Sequence, residues 1–175
     1  MRVVRLVAPL PALFMATVFF VQAANSPKSA VTSFFNLLKT EQYGALYLHL
    51  PTKMQQRFSR ERFILSVKRI GDYIRLERLE IGRVQQRGDY AVVDTTLYGR
   101  LKRPMELQGQ TISAGRVFVQ QFLVKEGTEW KVITADERVR TVFLEQNPDF
   151  SRDFEMKPPR LEFKQNDKWR VLGGQ

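Results

Sequence analysis

A chain of 175 residues has room for one domain and little beyond it. Cysteine is absent and there is a single histidine, which excludes disulfide frameworks, thiol nucleophiles, zinc knuckles, a lipid-modified cysteine and multi-histidine metal sites. The 28 Lys and Arg against 18 Asp and Glu leave a net charge of +10, so anionic surfaces are natural partners.

Arg2 and Arg5 precede the uncharged apolar run Leu6–Val21, and Val21-Gln22-Ala23 has the small-residue pattern of a signal cleavage site. The run is about 16 residues long and carries Pro9 and Pro11, short of the roughly 20 residues a bilayer-spanning helix needs. Residues 1–23 therefore read as a signal peptide cut after Ala23, and the protein as periplasmic or secreted. An uncleaved N-terminal anchor is the alternative. An exported chain without cysteine must hold its fold without disulfides, which suits a bacterial periplasm or exterior. The main domain is placed at 24–147 and a C-terminal extension at 148–175.

From Asn25 onward, helices come first and strands follow. Ser26-Pro27 is an N-cap with proline at the first helical position, and Ala30, Val31, Phe34, Phe35 and Leu38 predict a helix over about 28–39. Tyr43, Leu46, Tyr47 and Leu50 form a second helical seam that Pro51 ends. Ser59 caps a third helix, with Phe58 and Phe63 at staple positions and Phe63, Val67 and Ile70 as a buried stripe stopped at Gly71. In Arg75–Gln86, Leu76 is out of phase with Leu79 and Ile81, which predicts a bulge. Gly88-Asp89 turns the chain into a strand over Tyr90–Leu101. Residues 102–115, with Pro104, Gly109 and Gly115, read as a loop or short hairpin excursion. Arg116–Lys125 and Glu129–Ala135 are strands about a turn at 126–128, and Arg138–Glu145 is a short helix before Pro148. In the tail, FKQNDKWRVL parallels VKEGTEWKVI at Val124–Ile133, which predicts a C-terminal hairpin. A loosely attached arm is the alternative.

These elements predict an α+β domain with amphipathic helices packed on a curved antiparallel sheet. The run AVTSFFNLLKTEQYGALYLHL, then QQRFSRERF, GDYAVVDTTL and a final EWKVI resemble the nuclear transport factor 2-like (cystatin-like) superfamily, especially its small exported bacterial domains of unknown function. The resemblance spans residues 28–136. It implies a cone-shaped fold whose bent sheet wraps a long helix and leaves a cavity, and it leaves activity open, since the superfamily holds both enzymes and binding modules.

Tyr90, Val92, Asp94, Thr96 and Tyr98 share one face of their strand. If that face lines the cavity, Asp94 is a desolvated carboxylate beside hydroxyls, able to accept a proton; otherwise it is hydrated or paired with a basic neighbour. Tyr90, Asp94, Tyr98 and Trp130 are the candidate ligand-binding residues, with Asp94 the weak catalytic candidate. Trp130 and Trp169 also serve as sheet-packing residues. His49 points away from its apolar seam, and Asp136 and Glu137 sit where a helix cap is needed. Between Arg57 and Arg103, twelve Lys and Arg outnumber six Asp and Glu. Arg57, Arg60, Arg62, Arg69, Arg100 and Arg103 are thus candidates for an anionic surface, or a solvated face that aids solubility.

The sequence favours an exported, non-catalytic binding module that holds a small apolar ligand or a partner protein at the cavity or sheet face. No metal or cofactor is called for, and nucleic acid is not an expected partner. The rival readings are an isomerase- or dehydratase-type enzyme using a cavity carboxylate, and an adaptor on anionic envelope components. A homodimer through the sheet is a further expectation.

Overall fold

The computed structural model describes residues 25–107, 109–165 and 168–171. The signal-peptide reading of residues 1–23 lies outside them. Among the described residues, no helix is long and apolar enough to cross a membrane.

Helix α1 (Pro27–Lys39) starts in a capping box: Ser26 Oγ accepts from the Ser29 N–H at 3.1 Å, and Ser29 Oγ accepts from the Ser26 N–H at 2.9 Å. Its apolar stripe buries Val31, Phe34 and Phe35. The second seam is helical only as α2 (Tyr43–Leu46) and a single 3-10 turn (Tyr47–His49), with Leu46 and Leu50 fully buried. Helix α3 (Thr52–Arg57) is an unforeseen extra turn. Its free N-terminal amide at Thr52 donates to the Glu126 carboxylate at 3.0 and 3.1 Å, an anchor supplied from a distant strand.

Helix α4 (Arg60–Tyr73) is capped by Ser59, whose Oγ accepts from the Arg62 N–H at 3.3 Å. It runs two residues past Gly71, where the sequence predicts its stop. Phe63 is buried against Tyr47, with ring centroids 5.7 Å apart, and Val67 is half-buried. Phe58 and Ile70, by contrast, are 41% and 64% exposed. The staple and the far end of the stripe are therefore corrected. The stripe is continuous in sequence, but by Ile70 the helix has reached an open cleft rather than the core.

The six strands are β1 (Ile74–Arg87), β2 (Tyr90–Leu107), β3 (Gln110–Glu126), β4 (Glu129–Ile133), β5 (Arg160–Gln165) and β6 (Lys168–Val171). All pairs are antiparallel, in the order β1-β2-β3-β5-β6, and the sheet is not closed. β4 lies on the same side of β3 as β5 but further along, so β4 meets Phe122–Glu126 while β5 meets Gly115–Phe118. In the gap between them the Gln120 carbonyl accepts instead from the Arg140 guanidinium, which lies 4.4 Å over the Phe122 ring. The predicted irregularity in β1 is present as a register shift between Leu76 and Arg78. Residues 102–115 are mostly strand, not loop: β2 and β3 continue pairing to Leu107 and Gln110. Pro104 is tolerated because it falls in the interruption between Arg100 and Met105, where no ladder bond is required.

Each face of the sheet carries a core. On one, Ala91, Val93, Leu123, Trp130 and Val132 pack against α1, Leu46, Leu50 and Phe63. On the other, Val92, Phe122 and Ile133 pack against Phe150 and Phe154, with Phe143 and Met156 at the margin. These come from α5 (Glu137–Gln146), α6 (Pro148–Asp153) and the segment after them. Asp136 caps α5, its carboxylate accepting from the Val139 N–H at 3.1 Å.

Candidate functional site: an open apolar cleft

Beyond the residues that α1 covers, the inner face of the sheet continues without a lid. Its side chains fall into cross-strand rows, Leu97–Val117–Leu161 and then Gly99–Gly115–Phe163. The two facing glycines let Ile74 and the Phe163 ring lie close over the strand backbone. A Cβ on Gly99 would come within 2.8 Å of Ile74 Cγ2, so this row has no space for one unless Ile74 moves. Ile70 and Tyr73 from the end of α4, and Phe35 and Leu38 from the end of α1, form the walls. The cleft so enclosed is about 870 Å³, within the range of small-molecule sites.

Its boundary with the closed core is polar but satisfied. Buried Gln121 donates from Nε2 to Thr95 Oγ1 at 3.1 Å, and the Thr95 hydroxyl donates to the Val119 carbonyl at 2.7 Å. The charged groups of the cleft, Lys39, Glu41, Asp72, Arg75 and Arg103, are all exposed. Glu41 turns the chain after α1 in a left-handed conformation, φ 57°, that side-chain-bearing residues seldom adopt. Burial, then the charges of Glu41 and Asp72, push the Tyr43 phenol above its ordinary range, which keeps it a neutral hydrogen-bonding group. A hydrocarbon floor with polar groups near the opening can hold an apolar molecule by area burial.

Tyr90, Asp94 and Tyr98 do share one face, and it is the opposite one. The Tyr90 hydroxyl donates to Asn147 Oδ1 at 2.8 Å, and its ring meets Phe143 and Phe150 edge-on. Asp94 accepts from Gln120 Nε2 at 3.2 Å and pairs with Lys157 Nζ at 3.2 Å. Tyr98 donates to Glu80 at 2.9 Å, under the Arg78 guanidinium and edge-on to Trp169. Trp130 is buried in the inner core. None of the four lines the cleft. Strand alternation puts Leu97, Gly99 and Leu101 inward, so the tyrosine series must face outward.

The six arginines are all exposed and spread over several elements. Arg57, Arg60 and Arg62 stand where α3 gives way to α4, and Arg69 lies about 13 Å further along the α4 axis. Arg100 pairs with Glu77 at 2.8 Å, and Arg103 is at the cleft. His49 is half-buried beside Lys131, and burial followed by that positive charge pushes its imidazole below the ordinary range.

The cleft residues were passed over in the sequence because they look like core: Ile70 continues the Phe63–Val67 stripe, and Leu97 and Leu101 continue a strand. The readable signal was glycine, since Gly99 and Gly115 interrupt strands that have no turn there.

No protein-family model matches the chain, and no curated protein matches it. Among solved structures, the chain is similar to the solution structure of a SEC-C motif containing protein from Rhodopseudomonas palustris. The TM-score is 0.48 at 10% sequence identity, covering 61% of this chain and 74% of that one.

Proposed function

We propose that the chain is an exported, non-catalytic binding module that takes a small apolar ligand into this cleft. One observation carries the reading. Ile70, Tyr73 and Met105 are 64%, 72% and 49% exposed, yet they converge on one concavity floored by Leu97, Leu101 and Phe163. Large apolar groups gathered in one exposed concavity favour a bound partner over water. In this reading the curved sheet is a cone around α1, as the resemblance to the nuclear transport factor 2-like superfamily implies. The C-terminal hairpin extension contributes Leu161 and Phe163 to one wall. The enzyme reading is weaker, because Asp94 stands on the far face of β2 beside Lys157.

The experiment is a fluorescence titration with 1-aminoanthracene, an uncharged apolar probe. Saturable binding is expected at one site per chain. Ile70→Lys removes a side chain's worth of apolar burial, about 1.5–3 kcal/mol, and should weaken binding roughly 10- to 100-fold without unfolding, since Ile70 is exposed. Equal affinity in both proteins, or no saturable binding in either, rejects the proposal.

A further inference from the structure

We propose that the outer edge of β1 pairs antiparallel with β1 of a second copy, joining two sheets about a two-fold axis between Glu77 and Arg78. β1 is the first strand in the sheet order and pairs only with β2, so its other edge has no strand partner among the described residues. An edge of 14 residues with unpaired amides and carbonyls is a template for another strand. The sequence identifies which strand fits.

Residues 74–81 read Ile-Arg-Leu-Glu-Arg-Leu-Glu-Ile. Turned about its centre, the segment places Ile74 opposite Ile81, Arg75 opposite Glu80, Leu76 opposite Leu79, and Glu77 opposite Arg78. Every apolar residue meets an apolar one and every charge meets its opposite, the condition a self-complementary two-fold interface must satisfy. A shift of one residue in the sum of paired numbers breaks this, since it sets charged residues against leucine or isoleucine.

The bulge supports this register. In one chain the irregularity between Leu76 and Arg78 lets Leu76 and Leu79 both contact the inner core despite their odd spacing. A two-fold axis at 77/78 sets the two bulges against each other, so both strands carry equal numbers of residues between matched pairs. The exposed Arg75 side chain has no hydrogen bond or ion pair among the described residues, while its backbone pairs with Arg100 across to β2, and the guanidinium is placed to meet the second copy's Glu80. Beside this edge, between α1 and β1, lies a further gap of about 250 Å³ lined by Thr32, Phe35, Leu76 and Leu79. The second copy would stand alongside it.

The test is light scattering of the purified chain across a concentration series. A mass twice that of the chain is expected, and Arg75→Glu should weaken the dimer about tenfold or more, because the symmetry creates two like-charge contacts at once. Adding Glu80→Arg to Arg75→Glu should restore the dimer. Glu80 also receives the Tyr98 hydroxyl and pairs with Arg78, so a second readout rests on proximity across the axis rather than on charge. The chain lacks cysteine. Arg78→Cys places two thiols across the axis within reach of a short cross-linker, whereas Val84→Cys, five ladder positions further along each strand once the register shift between Ile81 and Val84 is counted, places them about 33 Å apart. Covalent dimer from the first and none from the second is expected. A monomer at all concentrations, a dimer indifferent to Arg75→Glu, or equal cross-linking at both positions overturns the proposal. Probe binding is measured on the unsubstituted chain, because Arg75 also stands at the cleft opening, and it does not depend on the outcome.

Discussion

Phe150→Ala should lower the unfolding free energy by about 3–5 kcal/mol, read as a fall in the urea midpoint. Phe150 has no exposed surface and sits at the centre of an aromatic cluster. Its ring lies 5.0 Å from Phe122 and Phe143, 4.9 Å from Phe154 and 5.5 Å from Tyr90. Removing it opens a cavity bounded by the sheet on one side and α5 and α6 on the other, neither of which can collapse far. The single transition should persist, because Val92 and Phe122 share strands with the inner core. An unchanged midpoint would mean that α5 and α6 are not docked on the outer face.

Glu162→Ala should cost about 3 kcal/mol by the same measurement. Glu162 is buried on β5, where its carboxylate pairs with Arg116 at 2.6 Å and Arg160 at 3.3 Å. Arg116 is also stacked against Trp169 at 4.5 Å. Loss of the carboxylate leaves a largely covered guanidinium without its counter-charge, and that desolvation dominates over the lost hydrogen bonds. The cost tests whether residues 160–171 are integral to the sheet. A variant as stable as the parent would make β5 and β6 a dispensable appendage.

Helices α1, α4 and α5 were legible because each has a local start signal, Ser26, Ser59 and Asp136, whereas α3 has no side-chain cap to announce it. The β1 bulge was legible for a different reason: Leu76 breaks a two-residue alternation that Leu79 and Ile81 then resume. What the sequence withheld depends on which side of an element a second element covers. Phe63 and Ile70 lie on one stripe of α4, but only Phe63 meets Tyr47. Tyr90, Asp94 and Tyr98 were correctly grouped on one face, yet strand alternation is silent on which face meets α1. Pro104 misled by marking a loop, although an interrupted ladder accommodates it. Helix α6 was missed because its six residues offer only Phe150 as an apolar anchor.

The most direct test of the binding account is a ¹H–¹⁵N correlation spectrum of the chain titrated with 1-aminoanthracene. The cleft predicts shifts in the amides of Gly71, Gly99, Leu101 and Gly115, while those of residues 143–154 on the opposite face stay in place. Shifts confined to residues 143–154, with the four cleft amides unmoved at saturation, would contradict it.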